Sequence, residues 1–222
     1  MNRVIYNRRG LEEYTRTHAF QIEMRDRVIK GETDSVLISV RHPSVITVGR
    51  GGDGNGIPAD PDMLARRNIR IIHVERGGMV TYHGPGQAVM YPVFDLRKFT
   101  QDIHEFLSSL ERVIIRALAA FSLAGRPGEK AGVFIGKRKI GSIGIAVKRW
   151  VTWHGISLNV QSDPFFDFIS PCGLPPGSMT SLEEEGVDAD MESVERELEH
   201  AFIQEFGIDI VQASQADAHC VQ

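Results

Sequence analysis

Cysteine occurs twice in the 222 residues, and only Cys172 falls inside sequence that reads as folded chain; Cys220 lies close to the C-terminus. Cys172 stands in Ser170-Pro171-Cys172-Gly173-Leu174-Pro175-Pro176, where proline and glycine describe a turn and not an apolar stripe. A thiol held in a turn is a candidate nucleophile, although free cysteine also serves often as a small buried hydrophobe. Lys139, within Gly136-Lys137-Arg138-Lys139-Ile140-Gly141-Ser142-Ile143-Gly144, is the second candidate. If Lys139 and Ile140 alternate across a strand, one of them faces inward beside the small residues that follow. Burial lowers a lysine pKa from ~10.4 and suits it to act as a base, while a nearby ammonium draws a thiol below ~8.5. The residues alone do not choose between Lys139 and Lys137, and a solvated lysine is the competing reading.

The densest unusual sequence runs from Arg76 to Gln87 and reads RGGMVTYHGPGQ. Four glycines around Arg76, Thr81, Tyr82 and His83 make a loop where a ligand can approach the main chain, since glycine has no side chain in the way and tolerates positive φ. Neither the P-loop nor the dinucleotide fingerprint is present, and plain hairpin turns are the alternative. Trp153-His154-Gly155-Ile156-Ser157-Leu158-Asn159 carries a further histidine on a strand, where a structural role is commoner.

These segments need a scaffold, and the periodicities supply one. Ile103, Phe106, Leu107, Leu110, Val113, Ile114 and Leu118 recur at three and four residues and predict an amphipathic helix. A looser helical pattern joins Leu11, Tyr14, His18, Ile22, Met24 and Val28 before Gly31, and a last helix fits Met191 to Phe206, ending at Gly207. Strands are expected at 36–40, 45–48, 69–74, 79–82, 88–94, 133–135, 139–147 and 150–160. Helices mixed irregularly with many strands favour an α+β fold over a doubly wound parallel sheet. No repeat or linker divides the chain, so a single domain over 1–222 is expected, with 208–222 as a poorly ordered tail.

The composition, 42% hydrophobic and 24% charged, is that of an ordinary soluble globular protein. Two cysteines give no disulfide framework and no zinc-type Cys/His spacing, which suits a reducing compartment. No apolar run approaches the ~20 residues of a membrane span, and no secretory signal is evident at the N-terminus. The net charge of −4 argues against general nucleic-acid binding. Charge is nonetheless uneven: no acidic residue falls between Lys130 and Ser162, whereas 183–205 is rich in glutamate and aspartate.

In their order and spacing, RGGMVTYHGPGQAVMYP, GKRKIGSIG, WHGISLNV, SPCGLP and MTSL resemble the lipoate-biosynthesis octanoyltransferases, from about His42 to Leu182. The resemblance implies the catalytic fold shared with biotin and lipoate protein ligases, a mixed β-sheet flanked by helices. It implies a cysteine/lysine dyad of Cys172 as acyl-thioester nucleophile and Lys139 as base. It also implies an acyl pocket lined by Arg76, Gly77, Gly78, Met79, Val80, Thr81, Tyr82 and His83, by Ser142, Ile143 and Gly144, and by Gly155, Ile156 and Ser157. Arg41 before His42-Pro43 and Leu174-Pro175-Pro176 after the cysteine-glycine pair depart from the common pattern and leave both dyad positions intact.

The activity implied is transfer of an octanoyl group from octanoyl-acyl carrier protein to a lysine of lipoyl domains, those of 2-oxoacid dehydrogenase complexes and the glycine cleavage H protein. No cofactor or metal is expected, and a cytoplasmic monomer without membrane or nucleic-acid partners is the expectation. Lys137, Arg138, Lys148 and Arg149 would offer a positive rim to an acidic carrier protein. Main-chain N–H groups near Gly77, Gly78, Gly173 or Ser142 are available in principle to an oxyanion. The alternatives are an ATP-dependent lipoate or biotin protein ligase, a cysteine thioesterase using His83 or His154 as base, and a silent carrier-binding module.

Overall fold

The computed structural model describes residues 1–52, 57, 60–128, 131–169, 174, 175 and 177–213, without the side chains of 167 and 168. The chain runs β1 (Asn2–Leu11), α1 (Tyr14–Lys30), β2 (Ser35–Arg41), β3 (Val45–Val48), α2 (Pro61–Arg66), β4 (Arg70–His73), β5 (Val80–His83) and β6 (Gln87–Val93). It continues through α3 (Ile103–Ala120), β7 (Arg126–Pro127), β8 (Gly132–Ile135), β9 (Arg138–Lys148), β10 (Val151–Asn159), α4 (Met191–Phe206) and β11 (Ile208–Gln212). Eight strands form one mixed sheet in the order β11-β1-β2-β6-β10-β9-β8-β7, and β4-β3-β5 form a second, smaller one. The expected α+β fold, a mixed sheet flanked by helices, is what the chain adopts. Among the described residues no helix is long and apolar enough to cross a membrane.

The central strands are covered on both faces, which is why β2 and β6 read as nearly continuous apolar runs. Leu37, Ala88 and Met90 pack with Phe106, Leu110, Val113 and Ile114 of α3 and Leu198 and Phe202 of α4. The alternate residues Val36, Ile38, Val40, Val89, Tyr91 and Val93 pack with Phe20, Met24 and Val28 of α1. Helix ends follow local chemistry. Asp102 accepts from the N–H groups of His104 and Glu105, and Asp190 from that of Ser193. Gly31 and Gly207 close their helices at φ 74° and 58°, left-handed values that favour glycine.

One expectation is corrected at the C-terminus. Ile208–Gln212, assigned from sequence to a poorly ordered tail, form β11, parallel to β1 from Asn2↔Ile208 to Tyr6↔Gln212. Gly207 turns the chain straight out of α4, and Ile208 is buried in the core, so the strand is anchored by its first residue. Residues 214–222, with Cys220, lie outside the described residues.

Where α1, β2, β5 and β6 meet, the interior is polar. His42 donates through Nδ1 to the Glu12 carbonyl at 2.8 Å and accepts at Nε2 from the Tyr91 hydroxyl at 2.9 Å. His83 donates through Nδ1 to Gln87 Oε1 at 2.9 Å, because the Gln87 amide N–H groups are given to the Tyr82 carbonyl and Asn159 Oδ1. Burial pushes the pKa of His42 down to about 4 and that of His83 to about 3, so both rings are neutral at pH 7. The unfolded chain protonates these rings near ~6.5, so the associated stability is whole above that value and is lost as the pH falls toward the folded values. Unfolding free energy measured in urea should drop between pH 7 and pH 5 by about 2 kcal/mol for each ring. A flat profile over that interval would contradict neutral burial of both.

Candidate active site

A cleft with about 450 Å³ of empty space, counting the part open to solvent, runs along one face of the β9–β10 hairpin. Arg76, Gly77, Gly78, Thr81 and His83 line it on one side, and Ser142, Ile143, Gly144, Gly155, Ile156 and Ser157 on the other. Ladder pairing explains the second wall, since Gly155 stands opposite Gly144 and Ser157 opposite Ser142. Paired small residues leave a trough between the strands and the loop above them. A β-carbon at Gly144 would come within 3.1 Å of Arg76 Cδ and 3.2 Å of the Gly77 oxygen.

Strand periodicity divides the glycine-rich segment. Thr81 and His83 face the cleft, whereas Val80 and Tyr82 turn into the core of the small sheet, and Tyr82 donates to Asp163 at 2.7 Å. Val80 and Tyr82 are therefore not among the lining residues, and neither is Met79, which precedes β5. The Arg76 side chain is buried and directed at Thr47, donating to its carbonyl and hydroxyl oxygens, both at 2.7 Å. It pins the loop to β3. Gly77 N–H donates to the Ile145 carbonyl at 2.9 Å and is thus engaged. Tyr14 and Tyr91 also line the cleft; in sequence Tyr14 reads as one apolar position of a helix, and no local signal sets Tyr91 apart.

Lys139 is 1% exposed, whereas Lys137 lies at the exposed turn before it. Its orientation comes from a β-bulge. On β8, Val133 and Phe134 are successive residues, but their partners on β9, Gly141 and Lys139, are two apart. Ile140 packs with the α3 cluster and Gly141 faces Ile114 of α3, which leaves Lys139 on the other face, with Ser142 and Gly144. Nζ donates to the Ala131 carbonyl at 2.8 Å. The Lys139 backbone is stitched to 178–180: its N–H donates to the Ser178 carbonyl at 2.7 Å and its carbonyl accepts from Thr180 at 3.0 Å. Asn159 Nδ2 holds the Thr180 carbonyl at 2.8 Å. Cys172 and Gly173 lie outside the described residues, and the chain that follows them is bonded to Lys139 from Ser178 onward.

His154 is the second residue turned against strand alternation. Its φ of 58° swings the side chain to the cleft face, and the Gln21 side chain accepts its backbone N–H at 2.8 Å. Glu75 lies 3.5 Å from His154 Nε2 and 3.0 Å from His18 Nε2. These two rings, His154 foremost, hold the Glu75 carboxyl well below the usual range, and burial pushes His154 down to about 4. Of the expected basic rim, Arg138 is paired with Glu184 at 3.0 Å and Glu185 at 2.7 Å, while Lys148 and Arg149 are exposed at the β9–β10 turn.

Comparison with known proteins places this geometry in a family. Residues 13–203 match the family model described as the lipoyl protein ligase A/B catalytic domain. The octanoyltransferase of Thermoanaerobacter sp. (strain X514) is 40% identical over 201 residues, which are 90% of this chain and 88% of that protein. A bipartite lipoate protein ligase from Thermoplasma acidophilum superposes with a TM-score of 0.75 at 16% identity, over 98% of this chain and 89% of that one. Biotin protein ligase from Aquifex aeolicus, in complex with biotin and ATP, gives 0.55 at 12% identity, over 93% and 71%. The two structures show a common fold, and the sequence relationship carries the activity class. The chain belongs to the octanoyltransferase family, acyltransferases built on the lipoyl protein ligase A/B catalytic domain.

Proposed function

We propose that the chain moves an octanoyl group from octanoyl-acyl carrier protein to a lysine of a lipoyl domain through a thioester on Cys172, with Lys139 as the proton acceptor. The observation that carries this reading is the buried Lys139, re-aimed by a bulge onto the cleft face and tied through its own backbone to the chain just after Cys172. A lysine kept from water is costly unless its environment uses it, and the Ala131 carbonyl fixes Nζ in place.

In the first half-reaction Lys139 takes the Cys172 proton, the thiolate adds to the donor carbonyl, the donor C–S bond breaks as the new one forms, and the carrier leaves as a thiol with the proton that Lys139 returns. One thioester replaces another. In the second, the acceptor amine attacks the Cys172 thioester and passes a proton to Lys139, and as the amide forms the C–S bond breaks and the cysteine leaves with that proton. The trough between Gly144, Gly155 and the Arg76–Gly78 loop would hold the saturated chain. Lys148 and Arg149 would meet an acidic carrier, with Arg138 contributing less because Glu184 and Glu185 already neutralise it.

Intact-mass measurement after incubation with octanoyl-acyl carrier protein, without ATP, should give one octanoyl adduct that hydroxylamine removes and that Cys172→Ser lacks. Transfer to a lipoyl domain without any adduct would sink the Cys172 relay; transfer only with ATP would favour a ligase. Lys139→Ala should lower the transfer rate by ~10²–10⁴-fold while keeping a cooperative thermal transition. Two glycine variants test the support of that lysine. Gly132 and Gly136 both have positive φ, but a β-carbon at Gly132 would meet the Gly141 carbonyl oxygen and lie 2.5 Å from Lys139 Cε, whereas one at Gly136 meets nothing within 4 Å. Gly132→Ala should therefore slow transfer far more than Gly136→Ala, and equal rates would show that Lys139 needs no such clearance.

A further inference from the structure

His18 on α1, Glu75 at the entrance to the glycine-rich loop, and His154 on β10 come together from three separate parts of the chain, with ligand-capable atoms all within 4.8 Å of one another. We propose that these three side chains form a binding site for a divalent cation of the Zn²⁺ class, clasping α1, the loop and β10 together at the wall of the cleft. The donor set, two imidazoles and one carboxylate, suits zinc and its neighbours and not the all-oxygen preference of magnesium or calcium.

Three observations carry the proposal. His154 Nε2 is a buried polar atom with no hydrogen-bond partner, 3.5 Å from the carboxylate oxygen that the half-buried His18 reaches at 3.0 Å. Tetrahedral zinc with ligands at ~2.0–2.1 Å requires ligand-to-ligand separations of about 3.3 Å, so Glu75 already stands at the right range from both rings. The other nitrogen of His154 is occupied, since Nδ1 lies 3.3 Å from the Tyr14 hydroxyl, the outer-shell arrangement that orients a metal-bound imidazole and leaves Nε2 as the ligating atom. Finally, the φ of 58° at His154, stabilised by Gln21, is what directs this ring away from α3 and toward Glu75. A strained non-glycine residue is held there to place that side chain. The His18 and His154 rings lie nearly parallel, 18° apart with centroids at 5.3 Å, so closure on a cation requires His18, the more exposed ring, to tilt its lone pair toward that of His154. Three protein ligands leave a further coordination position for water.

The test uses the full chain carrying Cys172→Ser and Cys220→Ser, so that no thiolate competes for metal. Calorimetric titration with ZnSO₄ should show one cation per chain, Co²⁺ should give the visible d–d absorption of a low-coordinate nitrogen and oxygen site, and Zn²⁺ should raise the melting temperature. His18→Ala and Glu75→Gln, each in the same background, should weaken the cation at least tenfold and abolish the thermal shift. The metal-free melting temperature reports whether each variant is folded, and His18→Gln replaces His18→Ala if the latter is not. Absence of stoichiometric binding in the thiol-free chain, or affinity within twofold of the parent in both ligand variants, would overturn the proposal.

Discussion

A β-strand shows alternate residues to opposite faces, and the β9–β10 hairpin has to serve a packed core on one face and the cleft on the other. Ile145 and Leu158 meet that demand on the core side, and Ser142, Gly144, Gly155 and Ser157 on the cleft side, by simple alternation, while Ile143 and Ile156 pack with the core and also border the cleft. Lys139 and His154 do not. Each would fall on the α3 face if the period of two held unbroken, and each reaches the cleft face through a local departure, a bulge for the lysine and a left-handed residue for the histidine. Both departures leave the rest of the ladder in register, so two polar side chains are re-aimed without moving the core.

The glycine-rich loop is held in a comparable way. Arg76 places its guanidinium on Thr47 of the small sheet, while Gly77 bonds back to β9 through the Ile145 carbonyl. The loop thus bridges the two sheets, and the cleft is the space beneath that bridge. Gly49 packs close against it: a β-carbon there would lie 2.5 Å from the Gly78 oxygen. Arginine in this loop is a strut between layers, even though its position in the motif resembles that of a ligand-binding charge.

Around this bridge the interior is polar but neutral. His42 and His83 have their ring hydrogens assigned by surrounding acceptors, and burial keeps them uncharged at physiological pH. Neutral, satisfied histidines can border the cleft at far smaller desolvation cost than charged ones. The buried Arg76 guanidinium and Glu75 are the charged exceptions, and Glu75 sits at the more open side against His18 and His154.

Much of this was legible in the chain itself. The three-and-four spacing from Ile103 to Leu118 defined α3, Gly31 and Gly207 marked two helix ends, and apolar runs located the central strands, because these signals depend on neighbours within a few residues. Cys172 and the RGGMVTYHGPGQ motif carried the family resemblance by residue type and spacing. The family resemblance pointed to Lys139, but local strand alternation did not decide which lysine turns inward, because the bulge opposite Val133 and Phe134 arises from pairing with a second strand. Nor was the tail reading of Ile208–Gln212 avoidable, since an edge strand is made by the β1 that it meets and not by its own five residues. His18, Glu75 and His154 are far apart along the chain and carry no common motif; only packing α1 against β10 and the loop brings them to one point. Local sequence determined the elements and the reactive residue types, whereas long-range pairing, which no short window contains, decided where those side chains point.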